Sequence, residues 1–297
     1  MKAHLRCYTR ILLLFIAITA ACGDAHAQGS VWDSPKDKKQ KAAQKISDGK
    51  SSYRKWRDHL EQWGREEKYT HHFAVGGKLN SDGWSGCLYL LKRISATQNH
   101  LFHFSFSEIK HEKQIKQQRN NTAYPELGQS SAFVYGKINN LYTLQLGYGR
   151  ERLLLPGIIE GNLSLSFRYS GGFSLALLKP YYLKLVYTDF ANNQPPVQKE
   201  EKYGDHNKEQ FLNNNAILGS SGFSKGLGEI RPVPGVFGEI SFALELGNSK
   251  FLVQTITIGA NGAYYPDKLP IMAELKPGNF TGSVFVGLSL GKKWKVQ

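Results

Sequence analysis

The sequence predicts an all-β protein: an antiparallel transmembrane β-barrel of about ten strands with a short helical N-terminal periplasmic extension. Three features predict this fold. Apolar and polar residues alternate with period two from Thr70 onward, connections on one side are short and most on the other are long, and the chain begins with a secretory leader. The expected domains are a signal peptide (1–27), a basic extension (28–69) and a barrel (70–297).

The N-terminus has the three parts of a signal peptide. A basic "MKAHLRCYTR" precedes an apolar "ILLLFIAITAA", and "AHAQ" offers an A-x-A site with cleavage before Gln28. Cys7 and Cys22 would leave with this leader, so Cys87 would be alone and no disulfide framework is expected. The mean hydropathy of −0.40 does not argue against a membrane barrel, because barrel strands spread their apolar residues over alternate positions.

Residues 28–69 are crowded with charge and lack strand patterning. Within them an apolar stripe at helical spacing predicts a helix from about Ser52 to Trp63. Such a short helix is marginal alone and needs a surface to bind. We expect this stripe to dock a partner protein, with the inner leaflet of the outer membrane and the barrel mouth as alternatives. The stripe consists of Tyr53, Trp56, Leu60 and Trp63.

The stretch "NFTGSVFVGLSLGKKW" shows the alternation most clearly. Side chains alternate faces along a strand, so one face is apolar and the other is small and polar. In a membrane barrel the first would meet lipid and the second would line a narrow interior. "LFHFSFSE", "LYTLQLGYG", "NLSLSFRYS" and "EISFALEL" repeat the pattern. A secreted soluble sandwich shows the same alternation and stays an alternative.

The connections favour the barrel. Links after the second, fourth, sixth and eighth predicted strands are short, and four of the other five are long, as in outer-membrane barrels with both termini in the periplasm. The expected strands are 70–79, 83–93, 99–109, 131–138, 141–150, 161–170, 173–187, 236–247, 250–262 and 279–294.

Several segments resemble the outer-membrane β-barrel proteins of Bacteroidota. They are "YGKINNLYTLQLGYGRERLL", "GGFSLALLKPYYLKLVY", "PIMAEL" and the closing "FTGSVFVGLSLGKKW", and the resemblance covers most of 70–294. It implies a barrel in the outer membrane more than any particular chemistry. The chain departs from the usual barrel ending, because it finishes Val296-Gln297 rather than on an aromatic residue.

Three charged residues, Arg168, Glu239 and Glu245, would point into the lumen. A charge inside a narrow barrel needs partners, so we expect an ionic plug; selectivity in a small pore is the alternative.

The long loop 110–130 carries cations at every third position: Lys110, Lys113, Lys116 and Arg119. If this loop faces outward, these residues would contact the phosphates of lipopolysaccharide. A solvated basic loop without a ligand is the alternative.

The sequence gives weak support for catalysis. His103, Ser105 and Ser107 share an inward face, but neighbouring side chains on one face stand roughly 7 Å apart and no orienting group is evident. The Asp205-His206 pair lacks accompanying carboxylates. His71, His72 and His100 form no metal-ligand spacing, and no phosphate or dinucleotide motif is present, so neither metal nor cofactor is expected.

The sequence therefore predicts a non-enzymatic protein of the outer membrane, an accessory subunit of an envelope or secretion assembly. A narrow channel for small solutes and a barrel-embedded hydrolase are the alternatives. Expected partners are membrane lipid, lipopolysaccharide and other envelope proteins. Nucleic acid is not expected for an exported chain, despite the net charge of +14.

Overall fold

The computed structural model describes residues 69–118, 130–155, 163–188, 195–246 and 252–295, with Gln44, Ser51 and Asp58 as single helical positions. The chain divides into two compact units, residues 1–57 and 58–297. The described part of the first unit is limited to Gln44 and Ser51. Within the described ranges, no helix has the length and apolar character needed to cross a membrane.

The second unit contains a closed antiparallel barrel of eight strands. The barrel strands are β1 (His71–Asn80), β2 (Gly83–Arg93), β3 (Gln98–Ile109), β6 (Asn139–Leu155), β7 (Leu163–Pro180), β11 (Arg231–Leu246), β12 (Val253–Leu269) and β13 (Gly278–Trp294). Their order around the barrel is β1-β13-β12-β11-β7-β6-β3-β2. Every neighbouring pair is antiparallel, and β1 closes the sheet by pairing with β13, His71 opposite Trp294. Closure removes the free strand edges that an open sheet exposes.

The predicted strand number of ten is wrong, and one reason lies at Gly171-Gly172. We expected a turn there between strands 161–170 and 173–187, but β7 runs straight through, with Gly172 paired to both Gly147 and Phe237. A Cβ at Gly172 would lie 2.1 Å from the carbonyl oxygen of Leu146. Glycine is therefore required here for close approach of two strands rather than for a turn.

The second reason is the segment 131–138, which is not a barrel strand. Only β5 (Phe133–Val134) is extended, and it pairs with β4 (Lys116–Gln117) outside the barrel. Phe133 is fully buried among residues from another loop. We interpreted the apolar residues of this segment as one face of a barrel strand. They belong instead to the core of a separate small module.

The predicted faces of the strands are confirmed. On β13, Val284, Val286, Leu288 and Leu290 are exposed, whereas Phe285 and Ser289 between them are buried. The same alternation holds on β3, where the phenylalanines at 102 and 104 point outward and His103 inward. The outer wall thus carries an apolar belt, and polar residues flank it, including His71, Lys92, Arg150 and Lys292 at one end and Lys179, Arg231 and Lys268 at the other.

The two ends of the barrel differ. We name the end with His71 and Trp294 the terminal rim; its connections are 94–97, 156–162 and 247–252. The opposite end, the far rim, bears the connections 81–82, 110–138, 181–230 and 270–277. The expected contrast of short and long connections is confirmed only in part. The two longest connections lie together at the far rim. However, the long link expected between predicted strands 141–150 and 161–170 lies at the terminal rim, and the short links expected at Asn139-Asn140 and Gly171-Gly172 lie within strands.

Two far-rim connections fold together into what we call the rim module, the described parts of residues 110–138 and 181–230. Besides β4 and β5, its elements are β8 (Tyr182–Tyr187), β9 (Val197–Lys202), β10 (Ile217–Ser220), α1 (Lys208–Phe211) and 3-10 turns at Asn214–Ala216 and Leu227–Glu229. The last three strands form one sheet in the order β10-β8-β9. The core of the module is Phe133, Leu183, Leu185, Phe211 and Ile217.

Replacing Phe211 with alanine should unfold the rim module and leave the barrel closed. Phe211 is fully buried and stacks edge-on against Tyr203 with centroids 5.4 Å apart, and removal of such a ring costs about 3–5 kcal/mol. Limited proteolysis should cut the variant within 181–230. The exposed Phe223 of the same module supplies the control, and cleavage of Phe223→Ala at an equal rate would contradict the prediction.

Candidate functional site

The barrel interior is filled by side chains. Toward the far rim it holds an apolar cluster drawn from β6, β7, β11 and β12, in which Phe237 and Tyr265 are the largest members. A second cluster, Ala74, Cys87, Tyr89, Leu91 and Leu101, occupies the side formed by β1, β2 and β3. An eight-stranded barrel has an interior just wide enough for side chains, which this packing illustrates.

Three buried or nearly buried ion pairs cross this interior. Lys78 Nζ donates to both carboxylate oxygens of Glu239, at 2.8 and 2.7 Å. The guanidinium of Arg168 pairs with Glu151. Lys293 Nζ lies 2.8 Å from a carboxylate oxygen of Glu245. Each pair links two different strands. Because each pair joins opposite charges, these charges are compensated inside the barrel.

The structure places all three predicted lumenal residues on inward positions. Arg168 and Glu245 lie on neighbouring strands, β7 and β11, with Ser164 opposite Glu245. The counter-charges are residues that were not among the predicted lumenal ones: Lys78, Glu151 and Lys293. Their separations in the chain from Glu239, Arg168 and Glu245 are 161, 17 and 48 residues, so only the barrel register brings each pair together.

The histidine and serines considered for catalysis are not assembled as a catalytic pair. His103 stacks on Tyr89 with centroids 5.1 Å apart, and neither of its ring nitrogens has a hydrogen-bond partner among the described residues. Ser105 Oγ instead donates to Gln145 Oε1 at 3.1 Å. Asp205 and His206 lie exposed in the rim module. Within the described part of the chain, no three His, Cys, Asp or Glu residues are grouped to hold a metal ion.

A cleft of about 810 Å³ lies between the rim module and the outer wall of the barrel. We name it the wall cleft. One side is the outward face of β2, β3 and β6, with Trp84, Phe106 and Tyr142; the rings of Phe106 and Tyr142 are stacked with centroids 5.8 Å apart. The other side is contributed by the module, including Tyr181, Tyr182 and Phe223.

Five lysines and one carboxylate line the wall cleft. Lys110 lies 3.8 Å from Glu108, and Lys225 pairs with Glu200 at 3.1 Å. The remaining cations, Lys116, Lys137 and Lys179, have no carboxylate within 4.0 Å among the described residues.

Two of these three lysines are buried. Lys137 is only 6% exposed; its Nζ donates to Gln114 Oε1 at 2.9 Å and lies 5.4 Å from the ring centre of Tyr181. Burial lowers the pKa of Lys137 to about 8. Lys179 is 3% exposed and donates to the carbonyl oxygen of Phe223 at 2.5 Å. Buried ammonium groups usually contact a carboxylate directly. Here no described carboxylate lies within 4.0 Å of Lys137 or Lys179, although Glu108 in the same cleft acts on Lys137 from a greater distance.

Some of the residues predicted to contact lipopolysaccharide line the cleft, and others lie outside it. Lys110 and Lys116 line the cleft, and Lys113 lies exposed in the turn between them. Arg119 falls outside the described residues. So do Tyr53, Trp56, Leu60 and Trp63 of the extension, and their docking role stays a prediction.

Sequence reasoning missed Lys137 and Lys179 as site residues. Lys137 lies in "VYGKINN", which we interpreted as strand and turn, and Lys179 precedes the proline of "LALLKP", which we placed inside a barrel strand. In both cases a lysine lies near the end of a segment with alternating apolar residues. This position was the only indication that the sequence offered for these two residues.

No family model matches this chain, and no curated protein matches it either. Solved structures that match include Neisserial surface protein A (6% identity, 77% of this chain and 98% of that one, TM-score 0.36). A major outer membrane protein from Thermus thermophilus matches at 7% identity, 75% and 99% coverage and TM-score 0.37. The attachment invasion locus protein of Yersinia pestis matches at 9% identity, 76% and 95% coverage and TM-score 0.30. These likenesses are weak, so function must be inferred from this chain's own geometry.

Proposed function

We propose that the protein is an outer-membrane barrel that acts through its outer surfaces and not through its lumen. The apolar belt on the outer wall supports membrane insertion, because exposed residues such as Val286, Leu288 and Leu290 would otherwise face water. Histidine, tryptophan and lysine at the terminal rim suit the headgroup level; His71 and Trp294 stack there with centroids 5.8 Å apart. In this proposal the terminal rim faces the periplasm and the rim module faces outward, since short turns are periplasmic in such barrels.

The filled lumen is the observation that carries the proposal. A channel needs a wetted path, whereas here Lys78 bridges β1 to Glu239 on β11 and its ammonium packs 4.4 Å from the ring centre of Phe285. Apolar clusters occupy other parts of the interior. The narrow-channel alternative would require these groups to move apart, and so would the selectivity role considered for Glu239.

The purified full-length protein should therefore produce no conductance steps in planar lipid bilayers. The double variant Lys78→Ala/Glu239→Ala removes the buried bridge and is the matched comparison, because it widens the lumen without leaving a lone charge. Steps from the native protein at physiological salt would contradict the surface-acting proposal and favour the channel.

The more specific role, an accessory subunit of an envelope or secretion assembly, is also part of the proposal. It rests on the aromatic stripe of the extension, including Trp56 and Trp63, and on the folded rim module, which offers a shaped surface at the far rim. Outer-membrane lipid, lipopolysaccharide and other envelope proteins are the proposed partners. Non-enzymatic function is proposed as well, supported by the engagement of Ser105 with Gln145 rather than with a histidine.

A further inference from the structure

We propose that the wall cleft binds the phosphorylated headgroup of a membrane lipid. This inference deepens the proposed function and rests on it, because it requires the apolar belt to be embedded in a bilayer. Lipopolysaccharide is the lipid to which we commit, with its phosphates as the recognised groups.

The first support is an excess of unpaired positive charge in a concave site. Lys116, Lys137 and Lys179 lack carboxylate partners among the described residues, and two of them are buried. An ammonium has three donors, and Lys137 uses one of them on Gln114. An anionic oxygen in the cleft would accept the others and compensate the buried charge.

The second support is a set of neutral donors that also lack partners. Gln114 Nε2 and Ser221 Oγ line the cleft, are inaccessible to solvent, and make no hydrogen bond within the described structure. Buried polar atoms are normally satisfied, so such atoms call for an explanation. A phosphate, whose peripheral oxygens are all acceptors, matches a cleft lined by ammonium, amide and hydroxyl donors.

The position of the cleft selects a lipid over a soluble anion. Trp84, Phe106 and Tyr142 stand on the outward face of the barrel, at the edge of the apolar belt where tryptophan and tyrosine are enriched at membrane interfaces. Four of the lining lysines belong to the module, and Lys179 lies at the far-rim end of β7. A headgroup would thus meet the lysines while its acyl chains lie along the apolar outer wall.

The acyl chains also have a surface on this side of the barrel. A groove of about 470 Å³ on the outer wall is lined by Phe102, Phe104, Leu146, Gly171 and Phe173, on the β3, β6 and β7 strands that also border the cleft. Its walls are almost wholly apolar, as contact with hydrocarbon requires.

The test measures retention of lipid A by the full-length protein in nanodiscs of zwitterionic phospholipid. The variant Lys116→Gln/Lys137→Gln/Lys179→Gln removes the three uncompensated charges. Its affinity for lipid A should fall roughly 100-fold, because each basic residue near an anionic surface contributes several-fold. The control, Lys208→Gln/Lys268→Gln/Lys276→Gln, removes equal charge from exposed sites outside the cleft and should lose less than about fivefold.

The outcomes are distinguishable. Equal loss in both triple variants would overturn the cleft and leave a general effect of charge. Inorganic phosphate that displaces lipid A at millimolar concentration would overturn the commitment to a lipid. Native protein that enters nanodiscs but does not retain lipid A would overturn this inference alone, whereas native protein that stays soluble without detergent would overturn the proposed membrane function itself. Circular dichroism melting of each variant reports whether the module remains folded.

Lipid A retention should also weaken as pH rises from 7 to 9.5, because Lys137, with a pKa of about 8, loses its charge in that range. The charged and titratable groups around it are Glu108 on β3, Lys110 and Lys116 in the following loop, Lys179 on β7, and Tyr181, whose pKa is raised by burial. In the Lys137→Gln single variant this part of the pH dependence should disappear. An unchanged pH profile in that variant would overturn the assignment of Lys137 to the site.

Discussion

Glu239→Ala should lower the free energy of unfolding by about 3–5 kcal/mol, because it leaves the ammonium of Lys78 buried without a counter-charge. The two side chains are 2% and 5% exposed, and the ammonium donates to both carboxylate oxygens. Urea unfolding of the protein in lipid vesicles, followed by tryptophan fluorescence, measures the loss.

Two variants test whether burial is the cause. Lys78→Met/Glu239→Leu removes both charges and should recover most of the stability, since replacing a buried pair with apolar residues is often neutral or better. Asp267→Ala breaks an exposed pair with Arg231, whose side chains are about 60% exposed, and should cost no more than about 1 kcal/mol. A Glu239→Ala loss as small as that of Asp267→Ala would contradict our account of the lumen.

Much of the barrel could be predicted because the orientation of each side chain on a strand depends on the local sequence pattern. Alternation with period two determines which side chains share a face, so the outward set on β13 and the inward positions of Arg168, Glu239 and Glu245 follow from the sequence. The strand count could not be obtained in this way. Gly171-Gly172 suits either a turn or a close contact between strands, and the contact depends on Leu146, which is remote in the chain.

The candidate sites depended on long-range structure that the sequence does not display. The partners of the lumenal charges are determined by the arrangement of strands in the barrel. For example, Lys78 on β1 pairs with Glu239 on β11. The wall cleft requires the packing of two connections, 110–138 and 181–230, whose shared core centres on Phe133 and Phe211. Basic spacing in one loop predicted Lys110 and Lys116 as lipid contacts, but buried Lys137 and Lys179 became visible only when the module was folded against the wall.

The lumen and the wall cleft contrast in one physical respect. Inside the barrel, Lys78, Arg168 and Lys293 each have a carboxylate partner. In the cleft, Lys137 and Lys179 are comparably buried but have none within the described residues. This difference in charge compensation is the reason that we propose a binding role for the cleft and a structural role for the lumen.

Arginine at Val286 should destabilise the barrel by roughly 2–4 kcal/mol, because this side chain lies near the middle of the apolar belt and would bring a charge into hydrocarbon. Leu290 is on the same strand and face and is similarly exposed, 55% against 51% for Val286, but it lies next to Lys292 at the terminal rim. Leu290→Arg should cost only about 0–1 kcal/mol. Urea unfolding in lipid vesicles measures the stability of both variants, with Val286→Leu as an apolar control. The comparison separates the effect of depth in the membrane from the effect of side-chain exposure. In a soluble barrel both arginines would stand in water and change stability by less than about 0.5 kcal/mol, so equal, small effects would refute the membrane assignment.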